Sequence, residues 1–207
     1  MPYLKKIFDV SNLDQAKDIV LTGSSENPEK FTVETEFLIN TIANQHIVNA
    51  ESTVLDFGCG MGRVSKKVID TFNCNVIGVD ISNSMKMFAN LYVDSAKFKT
   101  PVASYTLPNS IDVCISTFVL QHVQNPQEEI DLICNVLKPG GYMVVVNEPI
   151  RHVPSGIDND RYVIWEHDNF DIFRALESKL TKVFSVPYMS THVDVIFYQK
   201  PHNTLTR

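Results

Sequence analysis

Val54-Leu55-Asp56-Phe57-Gly58-Cys59-Gly60-Met61-Gly62-Arg63-Val64-Ser65 is an apolar run that ends in an acid, passes three alternating glycines and resumes with helical character. A strand that turns through glycines into a helix brings a ligand close to backbone at the helix start. A dinucleotide fingerprint wants glycines at its first, third and sixth positions, and counting from Gly58 the sixth is Arg63. That pattern fails by one residue. A carboxylate at Asp56 would repel a pyrophosphate but would favour a ligand bearing an ammonium group and a sulfonium. A charge-assisted hydrogen bond of that kind is worth about 1.5 to 3 kcal/mol.

Working outward, the next apolar run, Val76-Ile77-Gly78-Val79, also ends in an acid, Asp80. An acidic group at the end of the second strand can accept both hydroxyls of a ribose. NAD and S-adenosylmethionine both meet that test, and Asp56 with the missing sixth-position glycine favours the second. Runs at 53–57, 75–79, 111–117 and 142–147 are apolar on successive residues, which suits parallel strands buried on both faces. Helices are predicted at 61–72, 83–94 and 126–137, the last opened by Asn125-Pro126 and closed by Lys138-Pro139-Gly140-Gly141. The alternation predicts a doubly wound α/β sheet. A third strand is placed at 97–103.

The ends of the chain are more irregular. A helix is predicted at 33–48 after a looser stretch at 22–30, and residues 1–50 read as a helical cover over the sheet or the pocket mouth. Residues 148–169 are polar and too long for an ordinary α/β connection, so they read as a lid or insertion. A helix at 170–180 then leads to strands at 182–186 and 193–198, which pair as an antiparallel hairpin at one sheet edge. The expectation is one domain over 1–207, with its cofactor core at 51–147.

At 207 residues, 44% hydrophobic and 20% charged, the chain suffices for one domain with a sizeable core. A net charge of −6 makes nucleic acid a poor partner, and no run is long and apolar enough for a secretory leader or membrane anchor. Cys59, Cys74, Cys114 and Cys134 form no Cys-x-x-Cys pair, and the six histidines are scattered without metal-ligand spacing. Reduced thiols, no metal and a cytoplasmic location are expected.

The Val54 to Ser65 segment, Asp80, Ile111-Asp112-Val113-Cys114-Ile115-Ser116 and Leu137-Lys138-Pro139-Gly140-Gly141 occur in the order and spacing of a known family. Over roughly residues 50–147 the chain resembles the S-adenosylmethionine-dependent methyltransferases of the Rossmann-like class. The resemblance implies a seven-stranded, mostly parallel sheet with an antiparallel last strand, and S-adenosylmethionine as cofactor. It implies that Gly58, Cys59, Gly60 and Gly62 approach the methionine part and that Asp80 holds the ribose. Ile81 and Met85 would flank the adenine, and Thr117 and Phe118 would lie near the sulfonium. The chain departs from many relatives in lacking an acid between Lys97 and Ile111. A backbone carbonyl or Ser104, with Tyr105 nearby, would then meet the adenine amino group.

Each of these residues also has a plainer reading. Asp56 and Asp80 could cap helices, while Asp112 and the Leu137 to Gly141 turn read as structural. His122 follows the fourth strand at the carboxyl end of the sheet, where open α/β folds bind ligands, and a structural histidine is its alternative. His152, Arg161, Trp165 and His167 fall in the expected lid. His122 and His152 are the candidate bases should the acceptor be a hydroxyl. The function so read is methyl transfer to a small-molecule acceptor through oxygen or nitrogen. A non-catalytic S-adenosylmethionine-binding module and a nicotinamide-dependent oxidoreductase are the alternatives.

Overall fold

Neighbouring residues of the apolar runs face opposite ways, and both ways are buried. Val54, Val113, Ile115, Val144, Val146, Val195 and Phe197 pack on one side with Leu38, Ile42, Val64, Val68, Ala89 and Val93. Leu55, Cys114, Met143, Val145, Ile196 and Tyr198 pack on the other with Ile130, Ile133, Val136, Ile172 and Leu176. A strand whose successive side chains are all apolar needs a helical layer on each face, which is why this sequence folds as a three-layer α/β unit. These positions come from a computed structural model that describes residues 8–21, 27–101, 107–148, 152–154, 162–164, 172–189 and 192–202.

Among the described residues the strands are β1 (Thr53–Phe57), β2 (Asn75–Val79), β3 (Phe98–Lys99), β4 (Ile111–Thr117), β5 (Leu137–Val146), β6 (His152–Pro154), β7 (Tyr162–Ile164), β8 (Thr181–Pro187) and β9 (Asp194–Gln199). Seven form one sheet in the order β3-β2-β1-β4-β5-β9-β8, and β6 pairs with β7 as a separate antiparallel ribbon. The β1–β2, β1–β4, β2–β3 and β4–β5 pairs are parallel, whereas β9 runs antiparallel to both β5 and β8. The doubly wound, seven-stranded, mostly parallel sheet and the C-terminal edge hairpin are therefore as expected. The helices are α1 (Leu13–Val20), α2 (Pro28–Ala43), α3 (Arg63–Phe72), α4 (Asn83–Val93), α5 (Pro126–Val136) and α6 (Ile172–Glu177). None of them is long and apolar enough to cross a membrane.

Four features depart from the expectations. The helix placed at 33–48 is α2, which starts at Pro28 because the Asn27 side chain accepts from the Lys30 amide at 3.4 Å and proline sits in the first turn. It stops at Ala43, and the chain turns through His46 at φ 54°. Helix α1 was not foreseen; it is opened by the Asn12 side chain accepting from the Gln15 amide at 2.9 Å. The Lys138 to Gly141 turn is part of β5 rather than a gap before it: Leu137 pairs with Ile111, Gly140 takes φ +78°, and the register shifts between Ile111 and Val113. The third strand is the short β3, and residues 102–106 lie outside those described.

Asp112 has the structural role expected of it. Its carboxylate accepts from the Thr53 amide at 2.8 Å and from Lys138 Nζ at 2.7 Å, tying together the starts of β1, β4 and β5. The four cysteines form no disulfide.

Candidate active site

β1 is flanked by β2 on one side and β4 on the other, so the chain leaves it in one direction and later returns in the other. At such a switch point the loops beyond the strand ends diverge and leave a crevice. A cavity of about 840 Å³ opens there, and its walls include Asp56, Gly58, Cys59, Gly60, Asp80 and Thr117.

The glycine turn is held by its own backbone. The amides of Gly58 and Cys59 both donate to the Val79 carbonyl, at 2.8 and 2.9 Å, which ties the turn to the end of β2. The Gly60 amide donates to Asp80 Oδ2 at 2.8 Å, and Asp80 Oδ1 accepts from the Ser82 amide at 2.8 Å. Gly60 has φ +52°, and a Cβ there would lie 2.3 Å from a Val20 methyl on α1, so only glycine fits beneath that helix. Gly62 stands apart from Gly58 and Gly60. It is not among the cavity residues; a Cβ on it would lie 2.5 Å from a Val93 methyl of α4, so its bareness serves the packing of α4 against the start of α3.

Asp56 is buried, and burial pushes its carboxyl up to about 6; the Ser65 hydroxyl bond, Arg63 and the Ser65 amide act in the opposite direction. Ser65 Oγ donates to Asp56 Oδ2 at 2.5 Å. Asp56 thus serves the first turn of α3 as well as the cavity wall, so the capping alternative is met in part. The N-cap of α3 itself, Gly62, makes no side-chain cap bond. For Asp80 the capping alternative is not met: the helix that follows is capped by Ser82, whose Oγ accepts from the Met85 amide at 3.2 Å. Burial also raises the Asp80 carboxyl, against the Ser82 and Gly60 amides, the Lys86 ammonium and the Ile81 amide. Each of its oxygens takes one N–H, which leaves lone pairs for further donors.

The structure brings nearly all the expected cofactor residues together. Asp56, Gly58, Cys59, Gly60, Asp80, Ile81, Met85, Thr117 and Phe118 line one cavity, and His122 joins them. Met85 is buried and Ile81 is exposed at the mouth. The Cys59 thiol is buried, and burial holds it well above its ordinary range. Thr117 Oγ1 is buried and makes no hydrogen bond among the described residues. Ser104, Arg161, Trp165 and His167 lie outside the described residues. His152 stands on β6, whose backbone passes within 8 Å (Cα to Cα) of the 3-10 turn Leu120–His122.

A second wall was not read from the sequence. It comprises Lys30 and Glu34 from α2, Arg63, Gln121 and Tyr188. Tyr188, in the β8–β9 connection, donates from its hydroxyl to Glu34 Oε2 at 2.8 Å, and its ring meets Phe37 and Phe118 edge-on at 5.6 Å each. Arg63 is 4% exposed, donates to Thr35 Oγ1 at 2.9 Å and sits 5.8 Å over the Phe31 ring. Phe118 is left-handed at φ 56°, a conformation that costs a bulky residue about 1 to 3 kcal/mol. That backbone turns its ring toward Tyr188. No local motif marks these residues, because they meet only through chain reversals; the sole signal was Arg63 standing next to the glycines. Among the described residues no cluster of metal-ligating side chains occurs.

Residues 55–145 match the family model described as a methyltransferase domain. A carboxy-S-adenosyl-L-methionine synthase from Colwellia psychrerythraea is 31% identical over 147 residues, which are 64% of this chain and 59% of that protein. The chain thus spans less than two thirds of that relative's length. Among solved structures, a protein from Pyrococcus horikoshii superposes with a TM-score of 0.67 at 17% identity, covering 84% of this chain and 92% of its own. A geranyl diphosphate C-methyltransferase from Streptomyces coelicolor, solved with geranyl diphosphate and S-adenosylhomocysteine, superposes with a TM-score of 0.64 at 16% identity over 93% of this chain and 85% of its own. The strand order and the glycine turn between two acids resemble those of the Rossmann-like class of S-adenosylmethionine-dependent methyltransferases, and residues 55–145 are similar to that class's methyltransferase domain.

Proposed function

We propose that the protein transfers a methyl group from S-adenosylmethionine to a small-molecule acceptor, through an oxygen or nitrogen nucleophile and by in-line displacement. The observation that carries this reading is a single cavity lined by Asp56, Asp80, His122, Glu34, Tyr188 and Thr117, whose hydroxyl makes no hydrogen bond among the described residues. When bound, the cofactor supplies a methyl group already activated on a sulfonium. The chain's task is then to bind, orient and exclude water, so a strong base is optional.

In this reading Asp56 receives the ligand ammonium and Asp80 the two ribose hydroxyls. Ile81 and Met85 flank the adenine, with Ser104 as the proposed partner of its amino group. Thr117 and Phe118 border the transfer point. His122 is the proposed base for a hydroxyl acceptor, with His152 as its alternate. Residues 148–169, which include the β6–β7 ribbon, act as the lid. A small-molecule acceptor suits a cavity of about 840 Å³ and an acidic chain better than nucleic acid does, and the four free thiols suit the cytoplasm.

Two measurements test this. Calorimetry should show S-adenosylhomocysteine binding, whereas binding of NADH with no response to S-adenosylhomocysteine would support the oxidoreductase alternative. Incubation with methyl-labelled S-adenosylmethionine and a metabolite extract should move label into the small-molecule fraction. His122→Gln should slow that transfer roughly a hundredfold, the lower range for a lost general base. Cofactor binding with no transfer would leave a sensing module, and a mass change on the cofactor itself would point to chemistry of the kind named for the Colwellia relative.

A further inference from the structure

Gln121 is placed by an obligatory donor. The backbone amide of Glu148 donates to Gln121 Oε1 at 2.7 Å, and an N–H can only donate, so the carboxamide oxygen must face it. The carboxamide NH2 is then the group that faces His122 Nε2, at 3.4 Å. That NH2 has hydrogens and no lone pair to offer, so Nε2 must be the accepting nitrogen. This contact assigns the imidazole hydrogen to Nδ1, which is buried.

The rest of the local network keeps Gln121 from turning over. Its own amide donates to Asn147 Oδ1 at 3.0 Å, and Asn147 Nδ2 donates to the Glu148 carbonyl at 2.8 Å. These bonds close a ring that fastens the 3-10 turn to the residues after β5, and Gln121 is 6% exposed. We infer that Gln121 is a positioning residue that holds His122 as the neutral imidazole with its lone pair on Nε2, the form that can take a proton from an acceptor. The inference rests on the reading of His122 as the base.

A proton on Nε2 would set one N–H against another, so the contact opposes the imidazolium. Charged groups on the surrounding elements act the other way. Glu128 and Glu129 line the same cavity from the first turn of α5, and Glu148, paired with His192 at 2.8 Å, follows β5. β6 carries His152, and the N-terminal segment contributes the uncharged Phe8 ring, 5.9 Å from the imidazole. At 3.4 Å the Gln121 bond is long, so an acceptor hydroxyl can displace it at small cost.

The test is nitrogen NMR on the full chain carrying 15N-histidine, with His122 assigned from the spectrum of His122→Gln. At neutral pH the wild-type ring should show a protonated Nδ1 and a bare Nε2. Gln121→Glu replaces the donor with an acceptor and should raise the titration midpoint of His122 by about one unit or more. A wild-type ring protonated on Nε2, or a midpoint that does not move in Gln121→Glu, overturns the inference. The wild-type measurement needs no substitution, so it decides the matter even if the variant misfolds. It is also separate from the reading beneath it: methyl transfer at the wild-type rate in His122→Gln would remove the base and leave the tautomer result standing.

Discussion

Asp80→Ala should weaken S-adenosylhomocysteine binding about a thousandfold by titration calorimetry, because two hydrogen bonds to a charged acceptor are lost at about 1.5 to 3 kcal/mol each. The carboxylate is held in place before any ligand arrives, with the Gly60 amide on one oxygen and the Ser82 amide on the other. Its removal therefore also frees the glycine turn, and the thermal midpoint should fall. Asp80→Asn separates the two effects: the amide keeps one oxygen acceptor, so the fold is spared more than the affinity. Affinity retained within tenfold in Asp80→Ala would move the ribose elsewhere.

The second large effect has opposite signs for folding and binding. Asp56 is buried with a carboxyl raised from 3.8 to about 6, so its ionised form at neutral pH costs the fold about 3 kcal/mol. A raised folded pKa means that the folded chain holds the proton more tightly than the unfolded one. Stability from this group is thus fully present below about pH 4 and is lost as pH rises through about 6. Asp56→Asn should remove that dependence and raise the stability of the ligand-free protein at pH 7 by up to about 3 kcal/mol in denaturant titration. The same substitution should weaken S-adenosylhomocysteine about thirtyfold, by losing one charge-assisted bond to the ammonium. Wild-type affinity should decline below pH 6 while that of Asp56→Asn stays flat. A destabilised Asp56→Asn would show instead that the acid is retained for its Ser65 bond.

The centre of the chain was more legible than its ends, for a physical reason. Strands β1, β2 and β4 sit inside the sheet with both faces covered, so their apolar runs had to be continuous, and all three match the expected bounds. Helix α5 was placed from Asn125-Pro126, and the same pair of residues at Asn27-Pro28 opens α2. There the signal went unused, because the apolar spacing further along drew the predicted helix five residues too late. Helix α1 buries only Ala16 among its eight residues, too little for hydrophobic spacing to reveal it. Most of the expected cofactor residues share one cavity because they follow successive strand ends of one sheet. Glu34 and Tyr188 are 154 residues apart and join only through the antiparallel entry of β9, which no local pattern encodes.

Because β9 runs against its neighbours, the connection that precedes it returns to the same rim as the ends of β1 and β4, and Tyr188 reaches Glu34 from there. In the proposed reading the donor side of the pocket is built from Asp56 to Gly60, Val79 to Ile81, Met85, Thr117 and Phe118, while Phe8, Ile19 to Leu21, Lys30, Glu34 and Tyr188 come from the first and last fifths of the chain. Swapping residues 8–34 and the β8–β9 tip between members of this class is the natural route to altered selectivity on an unchanged donor half.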